Sequence, residues 1–260
     1  MINIFVSLAA ILAVLVGQTS TPTRATYVTN LYIPHSVRFQ NPDETACTAD
    51  STLIMLNLIA LNSSYQWASV GPDAAPAPAF AWKTTLSFKA QESILSWERS
   101  HQDEPAYKPG ADVAGWRNAI NFYGWGSITA GVYADLAYPT FAEAAFATVR
   151  LIAMTGMPVG LLAWYGSHAQ VITGYSVTGD DPRTGSTNFK INGIYMTDPL
   201  MERHHLDYYV TYQQWKSGPL EVRFAPYLQT DSVYMDPIDH KVGKRVWLNK
   251  FVIIGPTSVG

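Results

Sequence analysis

The sequence is short of cysteine and short of charge. A single cysteine, Cys47, stands among 260 residues, so no disulfide can close within the chain and no cysteine-rich metal site exists. Asp, Glu, Lys and Arg make up 14% of the residues, against roughly 25% in ordinary soluble chains. With 13% aromatic residues beside it, that scarcity excludes an intrinsically disordered chain, whose composition runs the other way. It also excludes a coiled coil, which needs abundant Glu and Lys. There is no basic excess either. Lys and Arg number 17 against 20 Asp and Glu, a net charge of −3, so nothing in the composition predicts a phosphate-binding surface or a nucleic-acid partner. No fixed-period repeat is present, and no apolar run reaches the roughly 20 residues of a membrane-spanning helix.

The run that comes nearest is residues 4–16, IFVSLAAILAVLV. It has the length of the apolar region of a secretory signal, and a polar stretch follows it. Thr23 and Ala25 are small residues at the two positions a signal peptidase reads. No Lys or Arg precedes the run, which leaves the α-amino group as its only flanking positive charge. Residues 1–26 therefore read as a signal peptide or, if retained, as an N-terminal anchor through residues 4–17. The expected location is secreted or extracytoplasmic, with membrane contact only in the anchored case. A lone cysteine in such a compartment is either a buried small hydrophobe or a reactive thiol.

Residues 27–260 read as one domain, helix-rich first and strand-rich second. A short strand is expected at 36–40, followed by the turn Asn41-Pro42-Asp43. Residues 45–61 have apolar positions Leu53, Met55, Leu56, Ile59 and Ala60 at helical spacing. Asp43 and Glu44 suit the positive end of that helix. Residues 71–78 form a Pro-, Gly- and Ala-rich loop. Helices follow at 86–100, at 111–123 (ended by Gly124) and at 141–155 (stopped by Gly156 and Pro158), with a strand-like stretch at 125–132. Strands are expected at 159–163, 169–175, 191–197, 208–210 and 246–254. This order predicts an α+β fold with N-terminal helices packed on an antiparallel sheet.

Cys47 falls near the start of the first helix, where backbone N–H groups and the helix dipole favour negative charge. The thiolate is the nucleophilic form of cysteine, and it needs a base or cationic partner. His168 is the candidate. The turn Gly166-Ser167 delivers it onto the apolar strand Ala169-Gln170-Val171-Ile172, where an unpartnered imidazole would be costly to bury. Asp198 closes the segment Tyr195-Met196-Thr197-Asp198-Pro199. An acidic group at that strand end could accept the second ring N–H of His168 and hold its tautomer. Gln40, upstream of Cys47, could donate its amide to an oxyanion beside the Cys47 backbone N–H.

Taken together, Gln40, the helix start Cys47-Thr48-Ala49-Asp50-Ser51, Pro158-Val159-Gly160-Leu161-Leu162, Gly166-Ser167-His168-Ala169, Gly174-Tyr175 and Asp198-Pro199 give the chain its likeness. It resembles a papain-like cysteine peptidase, and within that group the double-glycine (bacteriocin-leader) peptidase type and its secreted stand-alone relatives. The resemblance spans about residues 32 to 215 and keeps the order Gln, Cys, His, Asp, with the Gln-to-Cys spacing one residue longer than is usual. It implies the papain-like fold and a secreted, monomeric bacterial peptidase that takes a peptide or protein substrate and needs no cofactor. Cys47 would be the nucleophile, His168 the base, Asp198 its orienting partner and Gln40 an oxyanion donor. Trp164 and Tyr165, just before His168, would line the substrate cleft. Two other readings share the fold: a cysteine acyltransferase or amidase, and a non-catalytic binding module. No metal site is expected. His204 and His205 are adjacent, so on a strand they point to opposite faces, and Asp180 to Gly185 reads as a hairpin tip.

Overall fold

The computed structural model describes residues 24–33, 45–63, 84–103, 110–200, 206–228 and 247–257. The expected strand at 36–40, Gln40 with it, the apolar segment 4–16, the loop 71–78 and the pair His204 and His205 lie outside the described residues.

The longest strand organises the rest. It is β4, His168–Gly179, and it is buried along nearly its whole length. One edge pairs with two different strands in succession. Its first half runs antiparallel to β3, Val159–Ala163, and its second half to β1, Thr26–Asn30. The other edge pairs with β5, Phe189–Thr197, which pairs in turn with β6, Tyr208–Thr211. Beyond β3 lie β7, Phe251–Pro256, and β2, Tyr133–Tyr138. All these pairings are antiparallel, giving one seven-stranded sheet.

Helices cover both faces of this sheet. Side chains alternate across a strand, so Leu162, Ala169, Val171, Val252 and Ile254 meet the N-terminal helices. These are α1 (Cys47–Ser63), α2 (Thr84–Ser100) and α3 (Val113–Trp125). Leu161, Ile172, Ile194 and Ile253 face the opposite way, toward α4 (Phe141–Thr155) and the short α5 (Tyr212–Ser217). The α+β class and the antiparallel sheet agree with the sequence reading. The second helical layer was not anticipated. Arg117 on α3 and Asp135 on β2 form a largely buried ion pair at 2.5 Å, and the Trp247 indole N–H donates to the same carboxylate at 2.8 Å.

Several boundaries move for local reasons. The structure keeps 141–155 as read, because Thr140 and Glu143 form a capping box and Gly156 closes the helix with φ 66°. The helix read at 111–123 is displaced by two residues. Asp112 caps its start by accepting from the Gly115 N–H, and Gly126, not Gly124, supplies the left-handed cap. Trp125 therefore ends a helix, and the stretch 125–132 is a turn rather than a strand. Strand β2 begins only at Tyr133. The first helix begins at Cys47 itself, not at residue 45. The last strand is Phe251–Pro256, and residues 247–250 form a turn before it.

Gly174 shows how tightly β1 lies on β4. A Cβ at that position would sit 2.1 Å from the Thr29 carbonyl oxygen and 2.8 Å from the Asn30 Cα. Both are backbone atoms and cannot rotate away. Gly174→Ala is expected to push β1 off the sheet and lower stability by about 1–3 kcal/mol, read as a lower urea midpoint together with faster amide exchange in residues 26–30.

Candidate active site

Three elements converge on the residues singled out above. Cys47 is the first residue of α1, which packs against β4. His168 is the first residue of β4, and Asp198 directly follows β5, the strand hydrogen-bonded to it. Residues thirty apart in sequence are thus brought side by side. His168 Nε2 lies 2.8 Å from Asp198 Oδ1, with His168 2% exposed and Asp198 fully buried. The other ring nitrogen, Nδ1, is buried and not in ordinary hydrogen-bond contact with any protein atom. The Cys47 sulfur is nevertheless near enough to the ring to favour its protonated form.

Burial works against a charged imidazole. The hydrogen bond to Asp198, then the nearby Cys47 sulfur and the charges of both partners, outweigh it, and His168 is pushed up to about 9. For Asp198 burial likewise acts against the charge. The His168 hydrogen bond and charge, the Gln170 amide and the Leu200 N–H together hold its carboxyl below the usual range. The favoured state of the pair is therefore imidazolium beside carboxylate.

Asp198 is fixed by residues the sequence reading did not single out. Gln170 Nε2 donates to Asp198 Oδ2 at 2.6 Å and to the Glu221 carbonyl at 2.8 Å, and the Leu200 N–H donates to Asp198 Oδ1 at 2.9 Å. Gln170 is fully buried. A signal for it was present: it is a polar residue inside an apolar strand, two positions after His168 and so on the same face.

Glu98, on α2, was also missed. It is fully buried and accepts hydrogen bonds from Thr48 Oγ1 at 2.6 Å and Thr52 Oγ1 at 3.2 Å, the first of these residues adjoining Cys47. Burial raises its carboxyl to about 8. The two threonine bonds oppose the rise, the charge on Asp112 adds to it, and Arg99 opposes it. The sequence reading placed Glu98 only within the helix expected at 86–100.

Trp164 and Tyr165 are not part of a strand. With Gly166 they form a single 3₁₀ turn between β3 and β4. Both have positive φ, 49° and 59°, a conformation costly for residues with a Cβ. Gly166, at φ 93°, lies so close to the Tyr227 ring that a Cβ there would be 2.3 Å from it. The turn sets the Trp164 ring over His168, with centroids 4.3 Å apart and planes tilted by 36°. Tyr165 points to Arg223, whose Nη2 donates to the phenol oxygen at 2.9 Å.

Gln40 lies outside the described residues, so the oxyanion side is represented here by the start of α1. Among the described residues, no group of three His, Cys, Asp or Glu side chains could hold a metal ion. Asp181 caps the short helix Pro182–Thr184 and pairs with Arg183 at 2.8 Å, which makes this segment a self-satisfied hairpin tip. Among the described residues, no helix is long and apolar enough to cross a membrane. Comparison with known proteins found no matching family model, no matching curated protein and no matching solved structure.

Proposed function

We propose that this chain is a cysteine peptidase of papain-like fold, similar to the double-glycine peptidase type, acting on peptide or protein substrates outside the cytoplasm. One observation carries the reading. A buried His168 is held by Asp198 on one nitrogen, and the sole cysteine, at a helix start, favours its protonated form. Structural histidines need no such thiol, and structural cysteines need no such base.

In the mechanism, the Cys47 sulfur, as thiolate beside the His168 imidazolium, attacks the scissile carbonyl carbon. A C–S bond forms, and negative charge moves to the carbonyl oxygen. The Cys47 backbone N–H, with Gln40 as the second donor, stabilises that oxyanion. His168 gives its proton to the leaving amine as the C–N bond breaks, leaving a thioester. Water, deprotonated by His168, attacks the thioester and releases the free acid and the thiol. Asp198 holds the imidazole in place throughout and stabilises its charged form. The Trp164 ring excludes water from the His168–Asp198 bond, and Trp164 and Tyr165 form part of the cleft wall. Residues 1–26 serve as the export signal or anchor.

The test is hydrolysis of a peptide mixture by the purified full chain, with products identified by mass. Cys47→Ala is expected to abolish every cleavage, and the wild type to release free carboxylic acids. Acyl groups found on an added amine, in place of free acids, would identify an acyltransferase. Biological activity left intact in Cys47→Ala would identify a binding module.

A further inference from the structure

Gln170 is a costly residue for a core strand. It lies on β4 between Ala169 and Val171, its backbone paired to Leu161 of β3, and it is fully buried. Its amide oxygen, Oε1, is buried without a hydrogen-bond partner. An apolar side chain would avoid that penalty. Both hydrogens of its amide nitrogen, however, are in use. One goes to Asp198 Oδ2 at 2.6 Å and the other to the Glu221 carbonyl at 2.8 Å. Turning the amide over would set an oxygen against those two oxygens, so the group can face only one way.

The two bonds reach the two supports of His168. Asp198 Oδ1 is shared between the imidazole and the Leu200 N–H. Among the described residues, Gln170 is the donor to Asp198 Oδ2. The Glu221 carbonyl belongs to segment 219–228, which backs the Trp164–Gly166 turn. There the Leu228 N–H donates to the Tyr165 carbonyl at 2.9 Å, and the Tyr227 ring lies against Gly166. The first ring of that turn lies on His168. One buried amide thus ties the carboxylate at the imidazole nitrogen to the support of the indole on its face.

The titratable groups that face His168 are Cys47, from α1, and Asp198, at the end of β5. β3 sets the apolar Ala163 opposite it, and Tyr208 of β6 is the further titratable group in the field of Asp198. A buried carboxylate deprived of its amide donor is costly as an anion. It takes up a proton more readily and stabilises a neighbouring imidazolium less.

We infer that Gln170 is a positioning residue: its amide fixes the Asp198 carboxylate and, through it, keeps His168 protonated beside Cys47. Its consequence for the rate rests on the peptidase reading above. Its consequence for the His168 proton does not, and the two are read separately.

The test uses the full chain labelled with 13C at the histidine Cε1 position. The His168 signal is identified among the six histidines by its loss in His168→Ala. It is followed from pH 5 to 10 in wild type and in Gln170→Met, which keeps the side-chain length and has no donor. Wild type is expected to stay protonated past pH 8, and Gln170→Met to titrate about one pH unit or more lower. On a peptide that wild type cleaves, the alkaline limb of the kcat/KM profile is expected to move down with it. There kcat at neutral pH falls roughly tenfold to a hundredfold, with KM little changed. Gln170→Asn, whose shorter side chain withdraws the amide from Asp198, is expected to shift the same way. It serves where thermal melts show Gln170→Met unfolded. A folded variant whose His168 titrates as in wild type overturns the inference and leaves Gln170 a structural residue only. Absence of Cys47-dependent cleavage in wild type overturns the peptidase reading, while a lowered His168 midpoint still upholds the link from Gln170 to His168.

Discussion

Replacing His168 with alanine is expected to reduce Cys47-dependent hydrolysis roughly a hundred- to ten-thousand-fold, the range associated with a positioned general acid–base group. The substitution removes both the proton acceptor for the thiol and the proton donor for the leaving amine. It also leaves Asp198 as a buried carboxylate without its cationic partner, so a loss of stability accompanies the loss of rate. Asp198→Asn separates the two effects. The amide preserves the shape and can still contact the ring, but it no longer stabilises the imidazolium, so the rate falls steeply while the fold is retained. Measuring kcat/KM together with the thermal midpoint of both variants checks this. A rate loss that merely tracks the midpoint would assign the pair a structural role only.

Stability is expected to fall steeply as pH rises from about 5 to 9, and Glu98 is the main cause. Its folded value, about 8, lies above the ordinary value of 4.5, so between these pH values the unfolded chain has released a proton that the folded chain still holds. Folding is therefore favoured below the lower value, and the advantage is lost as pH climbs toward the upper one, a change of roughly 5 kcal/mol. His168 acts in the same sense at higher pH. Its value rises from 6.5 to about 9 on folding, so its stabilisation is complete below the first and gone above the second, about 3 kcal/mol. Asp198, shifted downward, affects only the acid side. The combined loss is comparable with the whole stability of a typical domain, about 5–15 kcal/mol. Thermal melts should show the midpoint dropping across this range. Glu98→Gln should flatten the part between pH 5 and 8, because the amide keeps an acceptor for the threonines and has no charge to desolvate. A midpoint equally pH-dependent in Glu98→Gln would reject the assignment.

The legible parts of the fold are those fixed by local chemistry. Helix α4 could be bounded from its own cap residues, Thr140, Glu143 and Gly156. Strands β3, β4 and β5 stood out as apolar segments separated by glycine and turn residues. The second helical layer was missed although a signal existed. VGLLA is a continuous apolar run, not an alternating one, as expected when both faces of a strand are covered. Strand β1 was missed because Thr26–Asn30 alternates exposed and half-buried residues and depends on β4 for its pairing. Helix α5 spans six residues, too few to establish a helical period. Within the site, His168, Asp198 and Cys47 could be named because their residue types carry the chemistry. Glu98 acquires its role only from what faces it across the helices, and no local pattern reports that.

The most direct test of the Cys47–His168 pairing uses the fact that the chain has one thiol. The rate of Cys47 alkylation by iodoacetamide, followed by mass across pH 5 to 9 in wild type and His168→Ala, reports on that sulfur alone. Wild type is expected to react at neutral pH at least tenfold faster than free cysteine. His168→Ala should lose this advantage and react no faster than free cysteine. Slow labelling in folded wild type, unchanged by His168→Ala, would show an inert buried cysteine and contradict the account.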